Sequence, residues 1–277
     1  MGNLGNYKSF GDSKFVPRLE PRQLKALATV SKDALALYDK FKDAIYAGND
    51  IGKLHLGYPS AGHISTYYPD SPDITQEDIS GVSDFLEGKG LLPENTRVRK
   101  TGQGFEVLIA SASSNPSSEE RDLEDSEWTL DDGKTVKLVF GDYSKEMDTI
   151  AHHIEEAKKH AANEHEIEMM EQYAKSFRSG SLEAFKLSQK AWVQDKGPQV
   201  ESDIGFIETY RDPHGIRGEW EGFVAMVNKE RTRAFGKLVE TAPQYIPLLP
   251  WDKSFEKDKF LSPDFTSLEV LTFAGSG

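Results

Sequence analysis

Apolar residues recur along the chain with two different periods. Five stretches have them at helical spacing, three or four residues apart, with capping or terminating residues at several of their ends. The pattern predicts helices at residues 21–47, 75–88, 144–177, 181–195 and 228–241.

Elsewhere the period falls to two, which is typical of strands. Paired stretches of this kind flank short turns that contain glycine, and glycine supplies the backbone conformation that a tight turn needs. The pattern predicts three hairpins, at 96–99 with 105–110, 128–130 with 135–140, and 203–211 with 216–225. With a last strand at 268–274, the chain is predicted to be α+β, a mainly antiparallel sheet or barrel with surrounding helices.

The third hairpin carries carboxylates on strand faces that also hold apolar residues. Because alternate side chains share a face, Glu208 is expected beside Tyr210, and Glu219 beside Glu221 on the partner strand. The buried face of a purely structural strand should stay apolar, although a solvated barrel end would give the same mixture. The functional interpretation is a negative pocket that holds an ammonium group, with the tyrosine hydroxyl donating to an oxyanion.

The composition narrows the possible partners and compartments. A formal charge of -13 over 277 residues disfavours binding to nucleic acid, and the absence of cysteine excludes both disulfides and thiolate ligands for a metal. The start of the chain lacks a signal-peptide pattern, and no apolar run reaches membrane-spanning length. We therefore expect a cytoplasmic protein with no membrane or nucleic-acid partner.

The common catalytic motifs are missing from the sequence. His165 and Glu166 begin the His-Glu-x-x-His zinc motif, but Met169 stands where the second histidine should be. His153 and His160 can share a helix face, yet no third ligand accompanies them and a solvated polar face explains them. With no Gly-x-Ser-x-Gly elbow and no phosphate loop either, the chain is predicted to hold no metal ligands.

Several long and unusual runs, taken together, resemble dipeptidyl peptidase III, a family of zinc metallopeptidases. They include Ile-Gly-Phe-Ile-Glu-Thr-Tyr-Arg-Asp-Pro at 204–213 and Gly-Glu-Trp-Glu-Gly-Phe-Val-Ala at 218–225. Further runs lie at 5–17, 192–201 and 263–277, so the resemblance spans essentially the whole chain. The sequence is similar to those of fungal members of the family.

The resemblance implies a two-lobed zinc exopeptidase that releases dipeptides from the amino terminus of oligopeptides. Residues 1–227 would form part of a β-barrel lobe that binds the peptide. Residues 228–266 would be a helical segment of the zinc lobe, and residues 267–277 would return to the barrel lobe as a strand. Zinc in this family is held by His-Glu-x-x-Gly-His and a later Glu-rich motif.

The resemblance also implies roles for six residues. Tyr210 would be catalytic, because it matches the tyrosine that steadies the charge developing on the scissile carbonyl. Glu208 and Glu221 would grip the substrate ammonium, with Glu219 and Ser276 at lesser positions of the same subsite. Trp192 would line the cleft.

The sequence also departs from the family's pattern. It covers well under half of a typical member, so it is expected to be a central fragment that lacks both zinc motifs and needs the missing remainder of the peptidase. We therefore predict that the isolated chain hydrolyses nothing. Without its packing partners, the apolar face of 228–266, which includes Phe235, Leu238 and Val239, should be partly exposed. Two alternatives stay open: a non-catalytic peptide-binding module that keeps the acidic pocket, and a purely structural remnant.

Overall fold

A computed structural model describes residue 7 and residues 13–47, 54–262 and 265–275. In chain order, its helices are α1 Pro21–Ala28, α2 Lys32–Tyr46, α3 Gln76–Gly88, α4 Ser144–Lys158, α5 Glu164–Ser179, α6 Leu182–Trp192 and α7 Lys229–Tyr245. Its strands are β1 Thr96–Thr101, β2 Gly104–Ala110, β3 Glu127–Thr129, β4 Thr135–Asp142, β5 Val200–Glu208, β6 Glu219–Val227 and β7 Leu268–Ala274. Short 3₁₀ turns occur at Pro59–Ala61, Ile246–Leu248 and Lys253–Phe255.

The helix predictions were right about where helices occur but wrong about two continuous ones. The stretch 21–47 breaks at Ser31, whose side chain accepts the backbone N–H of Ala34 at 3.0 Å and starts α2. The stretch 144–177 breaks in the same way at Asn163, which caps α5. In both cases a capping residue begins a new helix inside an apolar pattern that runs on across the break. The helix that follows Thr75 is confirmed, and Thr75 forms a capping box with Asp78.

The first two predicted hairpins form one four-stranded sheet in the order β1-β2-β4-β3. Both hairpins are antiparallel, as predicted. They meet through a parallel pairing of β2 with β4, in which Val107 lies opposite Leu138. Helix α3 packs its apolar face on this sheet to make the main core, whose fully buried side chains include Ile79, Val82, Val98, Val107 and Val136.

A second sheet has the order β5-β6-β7, and its β6–β7 pair is antiparallel, with Phe223 opposite Phe273. The predicted last strand at 268–274 is confirmed. The predicted barrel is wrong for the described residues: the four-stranded sheet ends at edge strands β1 and β3, and the three-stranded sheet ends at β5 and β7. The short strands pair in two open groups, so neither sheet closes on itself.

The chain divides into two compact units. The first comprises residues 1–194, 205–221 and 275–277, and it contains the four-stranded sheet and helices α1 to α6. The second comprises residues 195–204 and 222–274, which include α7 and β7. Strands β5 and β6 contribute residues to both. The division into segments 1–227, 228–266 and 267–277 stays a prediction.

The second unit buries little of its own surface. Among its described residues, Ala225 alone is buried. Phe235 is 41% and Leu238 is 57% exposed, and Val239 is half-buried, as expected for this face of α7. None of the helices in the described ranges is long and apolar enough to cross a bilayer.

Candidate amine-binding site

Glu208, Glu219 and Glu221 lie in the first unit at the two ends of a ten-residue connection, and Tyr210 lies within that connection. Glu208 is the last residue of β5 and Glu219 is the first of β6, so residues 209–218 bring both carboxylates to the same end of the strand pair. The expected extension of the first strand to residue 211 is wrong. Tyr210 lies in a bend beyond the strand, with 65% of its surface exposed.

Tyr210 lies within a group of three carboxylates. Its hydroxyl donates a hydrogen bond to the carboxylate of Glu208. This bond, followed by the negative charges of Glu208, Glu221 and Glu219, raises the pKa of Tyr210 above its usual value. The structure thus brings together the phenol and the three carboxylates that the alternating pattern picked out, and it keeps the phenol protonated as a donor.

Glu219 differs from the other two carboxylates because it is buried, with 8% of its surface exposed. Burial raises the pKa of Glu219, and Arg211 opposes that shift with its positive charge and with a backbone N–H that donates to the carboxylate. The Nε of Arg211 lies 3.6 Å from Oε2 of Glu219. The other oxygen, Oε1, has no hydrogen-bond partner among the described residues. Glu208 and Glu221 are half-buried.

A cavity of about 700 Å³ lies beside Glu219 within the first unit. Charged and aromatic side chains line it, including Tyr67, Glu94, Arg97, Tyr143, Arg211 and Trp220. Arg97 makes two hydrogen bonds to the carboxylate of Asp142, at 2.7 and 2.6 Å, and its guanidinium carbon lies 4.7 Å from the centre of the Tyr143 ring. Of the predicted site residues, Glu219 belongs to this lining, whereas Glu208, Tyr210, Glu221 and Trp192 do not.

Two predicted site residues remain besides the carboxylates and Tyr210. Trp192 is the last residue of α6 and is half-buried. Ser276 lies outside the described residues. The roles predicted for both therefore stay predictions.

Sequence reasoning missed the charged residues that hold the connection in place. The sequence pattern puts Asp212 in a tight turn and Arg217 near the start of a strand, yet both side chains are completely buried. Arg211 was not singled out either. The motif Asp-Pro-His-Gly at 212–215 signals a turn, and Gly215 does adopt a φ of +78° there, but a turn motif carries no signal that its charges are buried.

Zinc is implied by the resemblance, and the described residues do not fit it. Within residues 13–47, 54–262 and 265–275, no three His, Cys, Asp or Glu side chains are grouped so that they could hold a metal ion.

Comparison with known proteins decides the family. The sequence model of peptidase family M49 matches residues 37–277. The chain belongs to peptidase family M49. The family comprises dipeptidyl peptidases, which are metallo-exopeptidases, so the expected enzyme class is confirmed at the level of the family.

Among the relatives of this M49 chain are proteins named dipeptidyl peptidase 3. The protein from Dictyostelium discoideum is 45% identical over 279 residues, which cover 100% of this chain and 39% of the relative. The human protein is 44% identical over 287 residues, which cover 99% of this chain and 38% of the relative. The chain thus spans about two fifths of the length of the curated relatives it matches.

A solved structure supports the fold of the M49 chain. The structure of DPP III from Caldithrix abyssi has a TM-score of 0.57 and 18% sequence identity, and the match covers 92% of this chain and 44% of that one. At this identity the likeness concerns the fold alone. The similarity to fungal members of the family stays a prediction.

Proposed function

We propose that this chain carries the subsite for the substrate amino terminus in a zinc-dependent dipeptidyl peptidase, which releases dipeptides from oligopeptides. One observation carries the proposal: the hydroxyl of Tyr210 is hydrogen-bonded to Glu208, and Glu219 and Glu221 are near enough for their charges to raise its pKa. Membership of peptidase family M49 supplies the class of reaction.

The three carboxylates suit a ligand with a compact positive charge. In the chain without ligand they repel one another, since the charges of Glu221 and Glu208 add to the raised pKa of Glu219. An ammonium group placed among them offers three N–H donors and relieves that repulsion. Glu208 and Glu221 are half-buried and can reach a ligand at the surface. Buried Glu219 would act mainly through its charge.

Tyr210 would act on the carbonyl that is cleaved. Without substrate its hydroxyl donates to Glu208. When an ammonium group donates to Glu208 instead, the phenol is free to turn toward a carbonyl oxygen and to donate to the negative charge that develops there. A phenol keeps its proton at neutral pH, and the raised pKa of Tyr210 strengthens that preference.

The remaining features of the proposal rest on the family resemblance. Zinc, bound by residues other than those described, would supply a Lewis acid and an activated water. Trp192 would line the cleft, and Ser276 would complete the amine subsite. Residues 1–227 and 267–277 would belong to the peptide-binding lobe, and residues 228–266 to the zinc lobe.

Calorimetric titration with a short peptide, with a free or an acetylated amino terminus, tests the proposal. We expect the wild-type chain to bind the free-amine peptide at least about tenfold more tightly. Glu208→Gln and Glu221→Gln should each remove most of that preference without weakening binding of the acetylated peptide. Glu183→Gln is the matched control, because its carboxylate is 60% exposed on α6 and pairs with Lys186. Equal affinity of the wild-type chain for the two peptides would contradict the proposal.

A non-catalytic peptide-binding module is the alternative. The observation that favours it is the lack of a metal-binding group within the described ranges. In the same samples, with zinc added, we expect the 277-residue chain to release no dipeptide, and measured release would overturn the predicted inactivity. A cytoplasmic location stays a prediction, supported by a cysteine-free composition that provides no disulfide framework.

A further inference from the structure

The connection between Tyr210 and Glu219 is buried to an unusual degree for a loop. Loops normally run over the surface, because burial leaves their backbone polar groups without partners. In this loop Asp212 is 5% exposed and Arg217 is 0% exposed. The loop must therefore provide its own partners for these groups.

The carboxylate of Asp212 organises the backbone of the loop. Its Oδ1 accepts the backbone N–H of His214 at 3.1 Å, and its Oδ2 accepts those of Ile216 at 3.1 Å and Arg217 at 2.9 Å. The hydroxyl of Tyr68 donates to Oδ1 at 2.6 Å. Four donors thus converge on the two oxygens, in the geometry that charge-assisted hydrogen bonds favour.

Arg217 closes the network from the other end of the loop. Its Nη1 lies 3.9 Å from Oδ2 of Asp212, and its Nη2 lies 3.5 Å from the hydroxyl of Ser83 in α3. Its guanidinium carbon lies 5.7 Å from the centre of the Tyr68 ring. A fully buried guanidinium is tolerated only beside a counter-charge, so Asp212 and Arg217 depend on each other.

Three further hydrogen bonds attach the loop to the first unit. The hydroxyl of Tyr58 donates to the carbonyl of Pro213 at 3.0 Å, and that of Tyr67 donates to the carbonyl of Gly218 at 3.3 Å. The backbone N–H of Gly218 donates to the carbonyl of Glu94 at 2.7 Å. The path between Tyr210 and Glu219 is therefore tied to residues 58–68, to Glu94 and, through Ser83, to α3.

The geometry points to Asp212, acting with Tyr68 and Arg217, as the positioning residue that sets the separation between the Tyr210 hydroxyl and its carboxylates. Tyr210 lies two residues before Asp212, and Glu219 lies two residues after Arg217. Because Tyr210 is largely exposed, the backbone of the loop and the hydrogen bond to Glu208 together set the place of its side chain. The inference rests on the proposed amine-binding function.

Two substitutions test this role. Tyr68→Phe removes one hydrogen bond to Asp212 and keeps the ring beside Arg217, so it should fold. Asp212→Asn removes the charge and at least one acceptor. We expect the preference for a free-amine over an acetylated peptide to fall about fivefold in Tyr68→Phe and at least about tenfold in Asp212→Asn. The number of binding sites per chain from the same titration corrects for any unfolded fraction.

Asp122→Asn is the matched control. The carboxylate of Asp122 also accepts a side-chain hydroxyl, from Ser181, and a backbone N–H, from Leu182 at 2.7 Å. Asp122→Asn should lower the melting temperature, because it weakens the cap of α6. It should leave the preference for the free-amine peptide within about twofold of wild type, because this cap does not position Tyr210. A folded Tyr68→Phe variant whose preference for the free-amine peptide stays within about twofold of wild type would overturn the inference. If Asp212→Asn does not fold, Tyr68→Phe decides alone.

The phenol titration separates this inference from the proposed function. Absorbance of the phenolate against pH, as the difference between each protein and its Tyr210→Phe counterpart, reports Tyr210 without any peptide. In Asp212→Asn we expect the apparent pKa of Tyr210 to move toward that of an ordinary tyrosine. If Asp212→Asn does not fold, we expect the same change in Tyr68→Phe. A wild-type chain with no amine preference contradicts the proposed function, and an unchanged Tyr210 titration in the folded variants contradicts the positioning role.

Discussion

The field around Tyr210 favours the protonated form of two different groups. It raises the pKa of the phenol, so the hydroxyl remains a donor. The charges of Glu221 and Glu208 also add to the burial that raises the pKa of Glu219, so this carboxylate is costly to ionise. Such a site should bind a cationic ligand favourably, because the ligand's positive charge offsets the repulsion among the carboxylates in the folded protein.

Glu219→Gln tests the cost of that buried charge. The pKa of Glu219 is raised above its ordinary 4.5, so the folded protein holds this proton more tightly than the unfolded chain does. The penalty is absent below pH 4.5, grows as the pH rises through the folded pKa, and is complete above it. We expect Glu219→Gln to raise the melting temperature by roughly 2 °C at pH 7.5 and to have little effect at pH 4.

The pH dependence of that gain separates it from a packing effect. Thermal melts of wild type and variant at both pH values measure it, with Glu183→Gln as the exposed control, which should gain nothing at either pH. A Glu219→Gln variant that is less stable than wild type at pH 7.5 would show that Arg211 more than compensates the buried carboxylate.

The carboxylate group could be predicted from the sequence, whereas the network behind it could not. Period-two alternation places Glu208, Glu219 and Glu221 on strand faces without knowledge of any other element. Buried Arg217 contacts Tyr68 and Ser83, which lie more than 130 positions away in the sequence. No local pattern signals such contacts, because a charged residue in a turn is ordinarily solvated.

At the scale of elements, two glycines should respond to alanine with opposite signs. A Cβ on Gly218 would lie 2.8 Å from the carbonyl carbon of Phe206 in β5, which is backbone and cannot move aside easily. We expect Gly218→Ala to cost about 2 kcal/mol in the free energy of unfolding, and to lower the melting temperature by about 6 °C. Gly81→Ala in α3 meets nothing within 4 Å and should gain about 0.5–1 kcal/mol from helix propensity.

Urea titrations of the two variants and wild type measure these differences. The pair controls for the general effect of replacing glycine, since both changes reduce the freedom of the unfolded chain equally. A Gly218→Ala variant as stable as wild type would mean that β5 moves away from the loop, and the amine preference should then fall with it.

The elements also show which parts of the fold follow from local sequence. Hairpins and caps are decided by neighbouring residues, so β1–β2, β3–β4 and the start of α3 could be predicted. The parallel pairing of β2 with β4 joins segments separated by the connection 111–134, and no turn signal specifies it. The interruptions at Ser31 and Asn163 did have a local signal, because each is a capping residue inside an apolar pattern. The helical spacing of apolar residues continues across both positions, and it led to the prediction of one continuous helix in each case.

For the whole molecule, the uneven burial of the two units has a consequence for local stability. The core residues of the four-stranded sheet and α3 are almost fully buried, whereas in the second unit large apolar side chains such as Leu248, Phe255 and Leu261 are 78%, 81% and 66% exposed. Buried apolar area is the main source of stabilising free energy, so the second unit should open more readily than the first.

Native-state hydrogen exchange measures this difference residue by residue. We expect amides of β2 and β4 to exchange only on global unfolding, and those of α7 to exchange at least about a hundredfold faster, through local opening that costs a few kcal/mol less. Helix α3 is the internal control, because it is a helix of similar length to α7 whose buried face includes Ile79, Val82 and Leu86. Equal protection of α3 and α7 would contradict the prediction, and would mean that the exposed apolar side chains of the second unit are covered in solution, by self-association or by a bound partner. A dilution series distinguishes those two cases, because protection due to self-association falls as the protein concentration falls.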